Sequence, residues 1–245
     1  MSEVYPFPNG AKTAFTTLLH NKLLPLPEFK ALLGPSNLDY TDTISLMNKH
    51  FHSLQMSVRV ADVTCPYTER KFITYVSPTG KTYKSFGYKP EQVAYFEVLL
   101  SHFLNSNDLD PSRLAFWMDL VNLRTNVEKF SIDHKSAETF LKDFIKKYFL
   151  YELRTDGDDV KLGLGLRSLA QFQQEIFDRS DVCLICQESL FLGISCEQCS
   201  AVLHKSCFKQ FLEQLRHLDF KCPQCRGQFL SPDALSATLN SLGVQ

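Results

Sequence analysis

Between Asp181 and Gly227 the sequence holds seven of its eight cysteines, which together with His204 fall in pairs. They read Cys183-x-x-Cys186, Cys196-x-x-Cys199, His204-x-x-Cys207 and Cys222-x-x-Cys225. A C-x-x-C turn lets two sulfurs reach one ion from a tight knuckle. Four such pairs supply eight ligands, enough for two tetrahedral zinc sites with no open position. Structural zinc prefers closed cages of Cys and His, whereas catalytic zinc keeps a place for water. Both metals therefore read as scaffolding. Disulfides are the competing reading. That reading fails on His204, which leaves seven thiols, and on Met1-Ser-Glu-Val-Tyr-Pro, which has neither the basic nor the apolar region of a secretory leader.

Spacing alone does not assign pairs to ions. In a RING or PHD-type finger the pairs interleave: Cys183, Cys186, His204 and Cys207 hold one zinc, and Cys196, Cys199, Cys222 and Cys225 the other. A sequential arrangement, first pair with second, stays open.

The rest of the chain is large enough to fold in its own right. At 245 residues it has room for two or three small domains, and 44% hydrophobic residues with 20 Phe point to aromatic-filled cores. The formal net charge is -1, and seven thiolates with two zincs bring the loaded protein near -4. That balance argues against an overall basic nucleic-acid binder and leaves room only for a local patch. No apolar run approaches the ~18 residues of a membrane span. The expectation is a soluble protein of a reducing compartment, cytosol or nucleus.

Along the chain the pattern of an α+β multidomain protein repeats. Residues 11–24 read as a helix with Ala14, Phe15, Leu18, Leu19 and Leu23 on one face, and Glu28–Leu33 as a second behind Pro27. Thr41 or Asp42 would cap a third helix carrying Ile44, Met47, Phe51 and Leu54. Alternation then sets in at Met56, Val58 and Val60, followed by strands at 71–76 and 81–86 around a Pro78-Thr79-Gly80 turn. Three helices and a small sheet are the order of a winged helix. The order recurs with a helix from Lys89-Pro90, a polar break at 105–110, a helix from Pro111 and another from Ser131. Strands at Leu150–Leu153 and Val160–Leu164 flank the turn Thr155–Asp159, and a last helix covers Leu166–Phe177 before an Arg179-Ser180 hinge. The domains expected are winged helices over 1–88 and 89–179, a RING-like zinc domain over 180–230 and a C-terminal tail over 231–245. The competing reading of the N-terminal part is one irregular helical domain with two hairpins. On the helix beginning near Ser136, Lys135, Lys142, Lys146 and Lys147 read as a solvated face, with Glu138–Lys142 an i,i+4 pair, ahead of a weak phosphate-contacting patch.

The ligand order is C4HC3. The string CLICQESLFLGISCEQCSAVLHKSCFKQFLEQLRHLDFKCPQCRG resembles the RING-like domain of the non-SMC element one subunits, components of the chromosome-maintenance complex built on SMC proteins five and six. The C-L-I-C opening, the S-C-E-Q-C knuckle, the L-H-x-x-C pair and the closing C-P-x-C carry the resemblance, over about a fifth of the chain. It implies two tandem winged-helix domains followed by a small two-zinc cross-brace RING-like domain. It also implies a RING-type E3 ubiquitin ligase subunit acting in nuclear DNA repair, recombination and chromosome maintenance, with no covalent ubiquitin intermediate on this chain. The implied partners are a MAGE-like subunit on the winged helices, a kleisin-like subunit, and a ubiquitin-conjugating enzyme on the zinc domain, with DNA binding at most weak.

RING and PHD fingers share the interleaved scaffold and differ in work. RINGs place an apolar contact for the conjugating enzyme where Ile185 stands, and often a proline where Pro223 stands. Phe208, Phe211, Leu212 and Leu215 form the stripe of a short helix; Phe208 and Leu212 are expected inside, Phe211 and Leu215 toward the groove. Arg226 occupies the place of the "linchpin" arginine that in many RINGs bonds both ubiquitin and its conjugating enzyme; the plainer reading is a surface arginine. Against the RING stand His204 as fifth ligand and Phe220, where PHD fingers commonly carry an aromatic. No acidic run or aromatic cage for a histone lysine is evident. The alternative function is a non-catalytic structural or PHD-like histone- or peptide-binding subunit of a chromatin complex. Cys65 reads as a packed thiol, and His20, His50, His52, His102, His134 and His217 lack ligand spacing.

Overall fold

The computed structural model describes residues 10–34, 39–77, 88–105, 113–154, 160–177, 181–187, 189–199, 201–215 and 221–242. The chain divides into two compact units, Met1–Gln173 and Gln174–Gln245. The first unit contains two lobes of the same element order.

In the first lobe, α1 (Ala11–Asn21), β1 (Leu23–Pro25), α2 (Leu26–Leu33) and α3 (Tyr40–Ser53) precede the antiparallel pair β2 (Arg59–Thr64) and β3 (Lys71–Val76). The sheet order is β1-β3-β2. Apolar residues at helical spacing on α1 and α3 face this sheet, and Leu18, Phe29, Met47, Phe51, Val60 and Ile73 close the core. The first helix stops short of the expected residue 24. Lys22 turns left-handed at φ 67° and its N–H caps Leu18 O, freeing Leu23–Pro25 to pair with β3. Pro25 lacks an N–H, which an edge strand tolerates. The cap of α3 is Asp39, not Thr41 or Asp42; its carboxylate accepts from Tyr40 N at 2.8 Å and Thr41 Oγ1 at 2.6 Å. Strand β2 starts at Arg59, later than Met56. Asn48 pairs its side-chain amide with both backbone groups of Val60 at 2.8 Å. The hairpin turn falls at 65–70, with Cys65 N donating to Arg70 O at 2.9 Å. The expected turn at Pro78-Thr79-Gly80 and strand at 81–86 lie outside the described residues.

In the second lobe, α4 (Pro90–Asn105), β4 (Ala115–Phe116), α5 (Trp117–Asn122), a 3-10 turn (Leu123–Asn126) and α6 (His134–Lys146) precede β5 (Leu150–Arg154) and β6 (Val160–Leu164). The sheet order is β4-β6-β5. The helix expected from Pro111 begins at Trp117, because Ala115 and Phe116 are taken by pairing with Leu162 and Lys161. Asp133, not Ser131, caps α6, accepting from Ser136 N at 2.9 Å and Ser136 Oγ at 2.6 Å. Phe96 packs on Phe144 and Phe149 with ring centroids 5.0 and 5.5 Å away. On α6, Glu138 lies 4.0 Å from His134 Nδ1, and Lys147, which follows the helix, bonds Asp143 at 2.8 Å. The single last helix expected over Leu166–Phe177 is two, α7 (Leu166–Gln171) and α8 (Gln173–Phe177), parted at Phe172. The polar break after Asn105, the 155–159 turn and the Arg179-Ser180 hinge lie outside the described residues. No described helix is long and apolar enough to cross a membrane.

Candidate metal centre

The second unit has little regular structure to hold it. Two-residue strands pair as β7 (Asp181–Val182) with β8 (Ser189–Leu190) and β9 (Ile194–Ser195) with β10 (Val202–Leu203). Helix α8 stands at its start, and α9 (Lys205–Leu215) and α10 (Pro232–Leu242) follow. Its core is one small cluster in which Leu203, Phe208, Phe229 and Leu235 pack with Cys183, Cys196 and Cys222. Such a core leaves much of the folding energy to bound metal.

Each knuckle is built by backbone that turns back on itself. Gln187 and Arg226 take left-handed φ values of 60° and 61°, and donate their N–H groups to Cys183 O and Cys222 O at 2.9 Å. Other N–H groups point at sulfur: His204 N lies 3.5 Å from Cys183 Sγ and Gln198 N 3.4 Å from Cys196 Sγ. His204 caps α9, accepting from Phe208 N at 2.9 Å, so His204 and Cys207 sit one turn apart on the same side.

The pairs interleave. Cys183, Cys186, His204 and Cys207 form one cluster and Cys196, Cys199, Cys222 and Cys225 the other, with all ligand atoms of a cluster within 4.8 Å. The sequential alternative is thereby excluded. A zinc tetrahedron with Zn–S near 2.3 Å has S–S edges of about 3.8 Å, and about 3.5 Å to a nitrogen ligand. Cys196–Cys225 and Cys199–Cys222 are 3.9 and 3.6 Å apart, and His204 Nδ1 lies 3.2 Å from Cys186 Sγ and 4.0 Å from Cys207 Sγ. These are tetrahedral edges, far beyond a disulfide bond of about 2.05 Å. Donor type and spacing both fit zinc: two Cys/His clusters are positioned to bind two zinc ions, each filled by four protein ligands.

The sulfurs are not equivalent. Burial pushes the Cys183 thiol up, but N–H groups of Cys186, His204 and Ile185 outweigh it and hold it at about 6. Cys222 is likewise opposed by burial and held at about 7 by N–H groups of Cys225 and Gln224. Cys207 is pushed up to about 12 by burial and its neighbouring sulfurs. Cys183 and Cys222 thus supply a ready thiolate to each site, whereas Cys207 gives up its proton only to a metal.

Residues 183–225 match the family model described as "RING-like domain". The C-terminal part of the chain is a RING-like zinc-binding region. A chain of the solved "Nse1-Nse3-Nse4 complex" shares the fold with a TM-score of 0.71 at 15% identity, covering 91% of this chain and 97% of that one. No curated protein matches the chain. Both positive findings agree with the resemblance carried by the C4HC3 string.

The proposed groove residues fall into two groups. Ile185 is 40% exposed, whereas the preceding Leu184 packs against the core. Pro223 and Arg226 are exposed. Phe208 is fully buried, and Phe211 and Leu212 lean half-buried on the same cluster. Leu215 ends α9 with its side chain outside the described residues, as are His217 and Phe220. Sequence reading missed Val182, 46% exposed two residues before Leu184, and the whole of α10. Ser231-Pro232 was the available signal for α10, a cap residue followed by proline in the first turn. Cys65 is 2% exposed within the first unit, in keeping with the packed thiol expected.

Proposed function

We propose that this chain is the Nse1-type subunit of an SMC five/six complex and acts as a RING-type E3 ubiquitin ligase. The observation that carries the reading is the cross-braced C4HC3 module with Ile185 held outward on its first knuckle and Arg226 directly after its last ligand. In this reading a ubiquitin-charged conjugating enzyme docks on Ile185, Pro223 and the outer edge of α9, with Phe211 and Leu215 as further contacts. Arg226 bridges carbonyls of the enzyme and of ubiquitin with its rigid fork of donors. The thioester is restrained in an attack-ready geometry. A substrate lysine amine then attacks its carbonyl, the isopeptide bond forms, and the enzyme's thiol leaves. The gain is orientation, and a tenfold acceleration needs only about 1.4 kcal/mol. Nothing on this chain becomes covalently linked to ubiquitin.

The two lobes of the first unit are read as winged helices, supported by their shared order of helix, strand, two helical segments and hairpin. They are proposed to dock a MAGE-like subunit and to lie near a kleisin-like one in a nuclear complex for DNA repair. Any nucleic-acid contact by α6 would be weak, since Asp143 already engages Lys147 beside it.

The test is discharge of ubiquitin from a panel of charged conjugating enzymes onto free lysine, by this chain alone and with a MAGE-like partner. Stimulation that is lost in Ile185→Ala with both zincs retained supports the ligase. No stimulation in any combination would overturn it in favour of a structural or peptide-binding zinc subunit, for which His204 as fifth ligand is the supporting feature.

A further inference from the structure

The family match ends at Cys225, but the fold of the zinc unit runs on. Glu197 lies inside the second knuckle, beside the ligand Cys196. Its N–H donates to Phe229 O at 3.0 Å. Its carboxylate accepts from Ser231 N at 3.0 Å and from Ser231 Oγ at 3.2 Å. Ser231 immediately precedes α10, and Leu235 N closes the first turn on Ser231 O at 2.8 Å. One side chain therefore ties a zinc knuckle to the start of a helix. The carboxylate also sits where the helix dipole favours negative charge, and its bonds from N–H and O–H are charge-assisted.

Two further contacts grip the same knuckle. Gln198 packs over Gly227 so closely that a Cβ there would collide with its amide. Phe229, Leu230 and Leu235 are buried in the cluster that holds Cys196 and Cys222, and Phe229 stands 5.7 Å from Phe208, one residue after Cys207. The segment after the last ligand thus covers the all-cysteine site with apolar side chains and bonds its knuckle on both sides.

We infer that α10 is a working part of the second zinc site: Glu197 couples metal retention by Cys196, Cys199, Cys222 and Cys225 to docking of residues 232–242. Zinc fixes the knuckle, the knuckle aims Glu197, and Glu197 caps the helix. Because coupling is reciprocal in free energy, the docked helix tightens binding of that zinc, and affinity differences of this kind fall mostly on the release rate. Glu197 is a positioning residue, not a ligand. The inference needs only the zinc-binding role of the clusters and stands whether or not the chain transfers ubiquitin.

The test uses the full chain with both sites loaded, as parent, Glu197→Gln and Ser231→Ala. Metal release to an excess chelator is followed after cobalt substitution, because visible absorption distinguishes an all-sulfur site from one with a nitrogen ligand. Hydrogen exchange reports on residues 232–242. In Glu197→Gln the all-sulfur site should lose metal roughly tenfold faster, the scale of one charge-assisted bond, while the His204 site keeps its rate. Exchange in 232–242 should rise in parallel. Ser231→Ala, which removes only the hydroxyl bond, should show a smaller effect of the same pattern, and carries the test if Glu197→Gln cannot be loaded. Parent release rates alongside faster helix exchange would overturn the inference, making α10 an appendage. Equal acceleration at both sites would overturn it as general destabilisation.

Discussion

Tyr67 lies flat on Tyr151, with ring centroids 4.3 Å apart and planes 8° from parallel. Tyr67 comes from the β2–β3 turn of the first lobe and Tyr151 from β5 of the second. Tyr67 also donates to Leu164 O at 3.5 Å, and burial raises its phenol well above the ordinary range. Beneath it is Gly163, where a Cβ would collide with the Tyr67 hydroxyl and the Leu114 side chain. The hairpin tip of one lobe is therefore spent on packing against the other. Tyr67→Ala should cost about 2 kcal/mol, combining lost stacking with lost burial. Gly163→Ala should also destabilise, but far less in a Tyr67→Ala background. Chemical unfolding of the four proteins measures the coupling. Additive effects would contradict the arrangement.

A second lock joins the lobes. Gln171 at the end of α7 bonds both backbone groups of Ser77, each at 2.9 Å, and both residues are buried. The amide acts like a short piece of strand. Gln171→Leu keeps the bulk and leaves Ser77 N and O without this partner. The expected loss is about 3 kcal/mol, the cost of two buried polar groups losing their bonds. A loss under about 0.5 kcal/mol in urea unfolding, the range of an ordinary surface change, would show that Ser77 finds water instead.

These locks show where legibility in the sequence stops. The zinc ligands could be read because a knuckle is a local object, two donors on four residues. Their partition between ions could not, because it depends on how β9, β10 and α9 fold back. The pairing of β5 with β6 was legible from alternation around an acidic turn. Strand β1 was hidden at the end of a helical pattern, since Leu23 and Leu24 suit either period and only Lys22's left-handed turn decides. Ile185 stood out through the C-L-I-C spacing, but nothing local marked Glu197, whose partner Ser231 is 34 residues away. Nothing local marked Tyr67 either, whose stacking partner Tyr151 comes from the other lobe.

Zinc binding should weaken as pH falls. The N–H groups around Cys183 and Cys222 hold their thiols at about 6 and about 7, below the ordinary value of 9.0. A depressed acid contributes fully above its ordinary value and loses its contribution as pH drops through its folded value. Affinity should therefore fall progressively as pH drops from about 9 through 6, because each thiol must give up its proton to bind and Cys183 and Cys222 take theirs back only toward the lower end. Competition with a zinc indicator across pH 5–8 measures this, and a flat profile would contradict it. Chelation at neutral pH should unfold Gln174–Gln245 while hydrogen exchange in Met1–Gln173 stays unchanged.

Ile185 and Arg226 should separate binding from transfer. Ile185 is 40% exposed and its truncation opens no cavity, so Ile185→Ala should keep both zincs and the parent melting temperature. It should weaken docking of the charged conjugating enzyme. Arg226→Ala should leave docking nearly intact and slow lysine discharge about tenfold, the effect of losing about 1.4 kcal/mol in the attack-ready state. The backbone adds a control. Arg226 sits at φ 61°, so Arg226→Gly relieves strain while Arg226→Ala keeps it. If the guanidinium carries the effect, both variants slow transfer equally. Arg226→Lys should restore little, because a point charge cannot bridge two carbonyls as a planar fork does. Discharge kinetics at saturating protein, set beside a binding titration, read the two effects separately. Parent rates in both Ile185→Ala and Arg226→Ala would remove these residues from the mechanism.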